Sequence, residues 1–235
     1  MYLLNINGEE FSTDRDKNLL SYLRDDLRLT AAKDGCSEGA CGSCTVLIDG
    51  RKVKACIPKL SSLAGKKIVT VEGLSQREKD VYAHCFAETG AVQCGFCTPG
   101  MVMSAKSLLD VNPSPSPAEI KEAIKGNICR CTGYKKIEEA ILEAARYFRE
   151  NIPIPFSPKE VGMNSRFQRV DACEKVLGSG EFVDDIIVSD MIYAKALRSR
   201  YPRAIVNSID LSAAAAHPDC VRILTADDVP NNKIG

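Results

Sequence analysis

Eleven cysteines stand in a chain of 235 residues, and their spacing sorts them into two sets of four. Cys36, Cys41, Cys44 and Cys56 form the first set, and Cys94, Cys97, Cys129 and Cys131 the second; Cys85, Cys173 and Cys220 stand apart. Disulfides are not expected in a cytosolic chain, where thiols are kept reduced, so metal or redox chemistry becomes the leading explanation. Cys36-x4-Cys41-x2-Cys44 has the spacing of plant-type 2Fe-2S centres, whose fourth ligand lies further along the chain. Cys56 suits that role because the Asp49-Gly50 hairpin would return the chain toward the loop. Gly35, Gly39 and Gly42 alternate with these cysteines, and they let the backbone curl and point N–H groups at sulfur, which stabilises an anionic cluster and raises its potential. Four thiolates also suit tetrahedral zinc. Zinc sites usually come as paired short hooks, whereas three cysteines on one loop with a lone fourth fit a cluster better.

The second set, Cys94-x2-Cys97 with Cys129-x-Cys131, is open to both readings. Two hooks with a long spacer also describe a zinc ribbon. One local feature favours an anion: Cys97 precedes Thr98, expected to cap a helix that opens with Pro99, so a cluster there would face free amide groups and the positive end of a helix dipole.

The elements that must position these thiols show in the residue pattern. Apolar and polar residues alternate around Asn7-Gly8 and Asp49-Gly50, which predicts two hairpins. Leu19, Leu20, Leu23 and Leu27 predict a helix over 18–27, and Ile68 to Val71 reads as a short strand. Residues 1–75 are then a small sheet crossed by one helix. After Gly73 the period becomes helical. One helix carries Met101, Val102, Ala105, Leu108 and Leu109 and ends before Asn112-Pro113. A second starts at the capping-box spacing Ser116-Pro117-Ala118-Glu119, and a third presents Ile137, Ala140, Ile141, Ala144 and Phe148. Residues 76–148 read as an all-helical domain of four helices. Residues 151–165 are proline-rich and read as an extended linker. Residues 166–235 mix strand-like runs such as Met191 to Ala194 with the small-residue segment Ala213 to Ala216, a sparse core for an independent unit.

Equal counts of basic and acidic residues, 31 each, give no basic stripe for nucleic acid. No run approaches the roughly 18 apolar residues of a spanning helix, and Met1 to Asn5 lacks a signal peptide's basic flank, so a cytoplasmic location is expected. His84 and His217, each far from the cysteine sets, read as structural or surface residues. Cys85, Cys173 and Cys220 read as buried small hydrophobes. Gly178-Ser179-Gly180 lacks the third glycine and the βαβ setting of a dinucleotide fingerprint.

Three segments, Cys36-Ser37-Glu38-Gly39-Ala40-Cys41-Gly42-Ser43-Cys44, Gln93-Cys94-Gly95-Phe96-Cys97-Thr98-Pro99-Gly100 and Asn127-Ile128-Cys129-Arg130-Cys131-Thr132-Gly133-Tyr134, resemble the signature segments of the molybdenum hydroxylases, the xanthine dehydrogenase and aldehyde oxidoreductase family. All eight ligand positions match in order. The resemblance implies an α+β chain: a β-grasp 2Fe-2S ferredoxin-like domain (1–75), an all-α four-helix 2Fe-2S domain (76–150), the linker, and from 166 to 235 an incomplete α/β segment that opens the molybdopterin-binding, or hammerhead, portion. It implies two 2Fe-2S clusters, the second-set cluster nearest the molybdopterin and the first-set cluster outward, with electrons crossing them in that order. It places Gln93 and Cys131 close to the pterin. Arg166 to Asp171 and Gly178 to Ile186 resemble the start of the molybdenum-binding portion with no flavin domain before it, so FAD would belong to a separate partner chain. The wording is also close to bacterial, including selenium-dependent, xanthine dehydrogenases, which favours a purine over an aldehyde as the substrate hydroxylated. The matched residues end before any that could hold substrate, so this chain is expected to transfer electrons beside a molybdopterin-binding catalytic chain or domain in a higher-order oligomer. The reading of another class is a zinc-stabilised interaction module.

Overall fold

The computed structural model describes residues 1–155 and 168–230. The sequence-predicted linker from 156 onward and the opening Arg166-Phe167 of the hammerhead resemblance lie outside the described residues.

Two hairpins close where positive φ angles were expected. Asn7 and Gly8 (φ 55° and 89°) join β1 (Tyr2–Ile6) to β2 (Glu9–Thr13), and Asp49 and Gly50 (φ 50° and 77°) join β3 (Thr45–Ile48) to β4 (Arg51–Lys54). Two left-handed residues in succession match the twist of the flanking strands. A fifth strand, β5 (Lys67–Val69), lies between the hairpins and gives the order β2-β1-β5-β3-β4, with β1 and β5 parallel and the other pairs antiparallel. Leu4, Ile6, Val46 and Ile68 point to one face of this sheet, fully buried against Leu19, Leu20 and Leu23. Those leucines belong to the expected helix, but only Leu19–Ser21 is α-helical; Tyr22–Asp26 is a π-helical turn, closed by the Leu27 N–H on the Tyr22 carbonyl at 3.1 Å.

Four helices follow. α2 (Gln76–Thr89) and α4 (Pro117–Ile124) each open on a reciprocal capping box, Ser75 with Glu78 and Ser116 with Glu119. α3 (Thr98–Leu109) is apolar nearly all round its first two turns, and α5 (Lys135–Arg149) buries Ile137, Ala140, Ile141 and Ala144 along one stripe. The stripe packs against Tyr82, Phe86 and Met101, each 1% exposed or less, where every large side chain withdrawn from water contributes about 1.5–3 kcal/mol. α3 also lies against the sheet: the Ser107 hydroxyl donates to the Gly50 carbonyl at 3.3 Å, and Leu47 of β3 joins the helical core.

The compact unit runs on to Asp185. α6 (Ala172–Leu177) packs on α2 and α3 through Ala172 and Val176, which leaves Cys173 outward. The expectation that Cys173 and Cys220 are buried is therefore corrected: the first is exposed and the second half-buried, whereas Cys85 is buried as read. At Asp185 the chain reaches the sheet half. Its carboxylate pairs with the Lys33 ammonium at 3.0 Å and the Arg24 guanidinium at 2.6 Å. A second unit begins at Ile186. Its described residues hold one short α-helix, α7 (Ser212–Ala215), and a 3-10 turn (Ala226–Asp228), and leave Ile192, Tyr193, Leu197 and Ile205 exposed. The run 191–194 is not a strand, because no neighbouring backbone pairs with it. Among the described residues no helix is long and apolar enough to cross a membrane.

Candidate metal centres

The first cysteine set grows from the loop between the π-helical turn and β3. Three residues take positive φ there, Ser37 at 52°, Gly39 at 74° and Gly42 at 73°, so the chain curls back on itself. Asp34 holds the curl open by accepting the Ser37 N–H at 2.9 Å, and the Lys54 ammonium ties down the Gly39 carbonyl at 2.6 Å. The curl aims amides at sulfur: Cys36 Sγ accepts from the Cys41 N–H at 3.4 Å and from the Glu38 N–H at 3.5 Å. Those two hydrogen bonds bring the Cys36 thiol down to about 7. Cys44, buried where β3 begins, is pushed up to about 12 by burial and by the neighbouring Cys56 and Cys41 thiols. Cys56 follows β4 and is brought back beside Cys44 by the hairpin, whose Ala55 N–H donates to the Cys44 carbonyl at 3.1 Å. A Cβ on Gly35 would stand 3.0 Å from Cys41 Sγ and 3.3 Å from the Phe96 ring, so only a bare backbone leaves those two groups their places.

The second set lies where two loops of the helical half meet. Cys97 occupies the cap position of α3, but with helical backbone angles and no side-chain capping bond. Thr98 is the first helical residue rather than the cap, because the turn before it is already closed by its N–H on the Gly95 carbonyl at 3.1 Å. Cys97 and Cys129 are each 9% exposed, while Cys94 and Cys131 are exposed with their sulfurs 3.5 Å apart. Burial and the nearby Cys129 raise the Cys97 thiol. Burial opposes ionisation of Cys129 as well, yet the Thr132 hydroxyl at 3.1 Å and the local N–H groups leave it below its usual value. Tyr134 holds the loop from the other side, its hydroxyl accepting the Cys129 N–H at 2.9 Å.

Each set brings its thiols together: the Cys94 and Cys131 sulfurs lie 3.5 Å apart, Cys97 neighbours Cys129 and Cys94, Cys44 neighbours Cys56 and Cys41, and Cys36 accepts from the Cys41 N–H. Four thiolates are the protein's share of a 2Fe-2S cluster, so both donor sets fit that group. Gln93 is exposed and precedes exposed Cys94 in the chain. Cys85 is buried in the helical core and pushed up to about 12 by that burial. His84 meets the Tyr147 hydroxyl at 3.0 Å, and exposed His217 lies 3.9 Å from the Asp219 carboxylate.

Sequence reasoning missed three side chains beside these loops. Asn127 is 3% exposed and hydrogen-bonds the first cysteine loop from within the second. Phe96, between Cys94 and Cys97, meets the Phe182 ring edge-on with centroids 5.3 Å apart. Lys33, 1% exposed, sits 4.8 Å from the Phe182 ring centre and three residues before Cys36. Only Asn127 left a signal, a polar residue inside the segment that carries Cys129 and Cys131.

Three family models match the chain: a "2Fe-2S iron-sulfur cluster binding domain" over residues 11–81, a "[2Fe-2S] binding domain" over 70–142, and "Aldehyde oxidase and xanthine dehydrogenase, a/b hammerhead domain" over 177–235. The chain is 50% identical over 141 residues to the nicotinate dehydrogenase small FeS subunit of Eubacterium barkeri, covering 59% of this chain and 90% of that one. It is 40% identical over 135 residues to a probable xanthine dehydrogenase subunit of Bacillus subtilis (strain 168), covering 57% of this chain and 78% of that one. Among solved structures, the aldehyde oxidoreductase from Desulfovibrio desulfuricans ATCC 27774 superposes with a TM-score of 0.71 at 38% identity. That match takes in 78% of this chain and only 22% of the larger enzyme.

Proposed function

Because the chain belongs to the molybdenum hydroxylase family, as its iron-sulfur electron-transfer component, we propose that Cys36, Cys41, Cys44 and Cys56 ligate one 2Fe-2S cluster and Cys94, Cys97, Cys129 and Cys131 a second. The observation that carries this is the gathering of four thiols in each set, with the Cys94 and Cys131 sulfurs 3.5 Å apart in one and backbone N–H groups aimed at Cys36 Sγ in the other. Such clusters supply one-electron storage; the chain's own part is to bind them, donate N–H groups to their ligands and keep water away. The second set, with Cys94 and Cys131 exposed on one side, faces the molybdopterin of a catalytic partner chain or domain, and Gln93 and Cys131 contact that cofactor. The first set passes the electron outward, to an acceptor that includes a flavin only if a separate chain brings it. The exposed apolar residues from Ile187 to Val229 support an assembly in which further protein buries this segment.

Three named relatives bear on the substrate. Likeness to a nicotinate dehydrogenase subunit and to a probable xanthine dehydrogenase subunit supports hydroxylation of a nitrogen heteroaromatic ring, with purine as the member the signature wording favours. A second reading, aldehyde oxidation, is favoured by one observation: the iron-sulfur and hammerhead matches follow each other in one chain, and the aldehyde oxidoreductase superposes over more of this chain than the iron-sulfur half alone. Anaerobic mixing of the assembled enzyme with xanthine, nicotinate or an aldehyde tests both. Bleaching of the visible absorbance by xanthine supports the purine reading, and bleaching by aldehyde alone supports the second. No bleaching by any substrate, with full bleaching by dithionite, refutes the relay.

A further inference from the structure

The two cysteine loops touch each other through the main chain. The Ile128 N–H donates to the Cys41 carbonyl at 2.7 Å, which links a residue carrying a first-set thiol to the neighbour of Cys129. Asn127 holds that contact shut. Its Nδ2 donates to the Gly42 carbonyl at 2.8 Å and to Thr45 Oγ1 at 3.2 Å, and its Oδ1 accepts the Ser104 hydroxyl at 2.7 Å. The Thr45 hydroxyl in turn donates to the Gly42 carbonyl at 2.7 Å. No polar atom of the Asn127 side chain is left unpaired, and the knot joins β3, α3 and both cysteine loops in the dry interior. A Cβ on Gly42 would strike the Gly126 carbonyl, and one on Gly100 would strike the Gly42 carbonyl, so the loops are as close as backbones allow.

We infer that Asn127 is a positioning residue for electron transfer: it fixes the Cys41 carbonyl against the Ile128 N–H, and this hydrogen bond is the bridge an electron crosses between the two cysteine sets. The inference rests on reading both sets as 2Fe-2S sites. One electron leaves the second-set cluster, which is oxidised, and enters the first-set cluster, which is reduced; no proton moves and no bond forms or breaks. The rival route runs through the Phe96 ring, beside Cys97 in sequence and close to Gly35. That route must jump a van der Waals gap, whereas the path from Cys41 through the hydrogen bond to Cys129 is interrupted only once.

The test uses the full chain with its clusters in place, in wild type, Asn127→Ala, Ser104→Ala and Phe96→Leu. Iron and sulfide content and melting temperature are measured first. The magnetic splitting between the two reduced clusters is then read by low-temperature EPR, and the redistribution of one electron between them is timed after pulsed reduction by a viologen radical. Asn127→Ala is expected to keep both EPR signals, to lose the wild-type splitting and to slow redistribution, since the Cys41–Ile128 hydrogen bond is no longer held in place. Ser104→Ala, which removes one hydroxyl and leaves both Asn127 donors in place, is expected to show a smaller change in the same direction, and it decides the matter if Asn127→Ala does not assemble. Phe96→Leu is expected to leave the rate unchanged. A lowered melting temperature with wild-type splitting and rate would make Asn127 merely structural and overturn the inference, as would a fall in rate confined to Phe96→Leu. A wild-type chain without iron would instead refute the cluster reading beneath it, a result told apart by the metal analysis alone.

Discussion

Replacing Asp185 by Asn strands a cation in the interior. Lys33 is 1% exposed and pairs with the Asp185 carboxylate at 3.0 Å; Arg24, whose side chain is 14% exposed, takes the other oxygen at 2.6 Å. Burial works against both charges: it lowers the Lys33 ammonium and would raise the Asp185 carboxyl, but the two cations together leave Asp185 below its ordinary value. Breaking such a pair from one side costs about 3–5 kcal/mol, because the remaining charge is uncompensated. Arg24 keeps carbonyl partners at Thr30 and Ala32, and Lys33 keeps the Phe182 ring, so the lower end, about 3 kcal/mol, is expected. For a unit of this size that lowers the melting temperature by roughly 6–12 °C. The pH dependence has a fixed sign. A carboxyl depressed in the fold contributes its stability above its unfolded value near 3.9 and loses it as pH falls through the folded value, so the deficit of the variant shrinks in acid. Thermal unfolding by circular dichroism between about pH 3 and pH 8 reads both effects. The double variant Lys33→Met/Asp185→Leu is expected to recover most of the loss, since apolar groups of similar volume replace a buried pair at little cost. An Asp185→Asn variant as stable as wild type at neutral pH, or a double variant as unstable as the single one, would refute the argument.

Cys94→Ala is expected to abolish the EPR signal of the second-set cluster, keep that of the first, and halt turnover of the assembled enzyme; turnover with an artificial acceptor at the wild-type rate would remove the second set from the relay. Cys85→Ala is expected to leave iron content unchanged and to cost about 1 kcal/mol for a small buried group, read by denaturant titration; loss of iron would overturn the division of the cysteines. Gly42→Ala is expected to lose more than about 2 kcal/mol, because its φ of 73° already costs an L-residue about 1–2 kcal/mol and the added methyl meets the Gly126 carbonyl. A Gly42→Ala chain that melts with wild type would show that the loops are not pressed together.

The elements written in short-range chemistry were legible in the residue order. Asn7-Gly8 and Asp49-Gly50 turn where two successive left-handed residues are tolerated, and Ser116 with Glu119 makes the box its spacing promised. The curl of the first cysteine loop was legible as well, because three cysteines share that loop with the glycines that turn it. The approach of Cys94 to Cys131 was not, since two helices separate their hooks in sequence. Thr98 failed as a cap because the preceding turn, closed on Gly95, had already started the helix. Leu19 to Leu27 has helical spacing in sequence, and the widened turn at Tyr22 adds a residue without moving those leucines off the core. Contacts that span the chain were invisible: nothing in the vicinity of Asp185 points to a lysine 152 positions earlier, and Asn127 reads as one more polar residue in a loop until its partners at Gly42, Thr45 and Ser104 are known. The run from Met191 to Ala194 has strand composition without a neighbour to pair with, and composition alone cannot supply one.

Metal and acid-labile sulfide analysis of anaerobically purified protein shows whether the two thiol sets hold iron at all. About four iron and four sulfide per chain, with the red-brown absorbance of 2Fe-2S centres, is the predicted result. Colourless protein holding about two zinc and no sulfide would contradict it, and the electron relay would have nothing to run through.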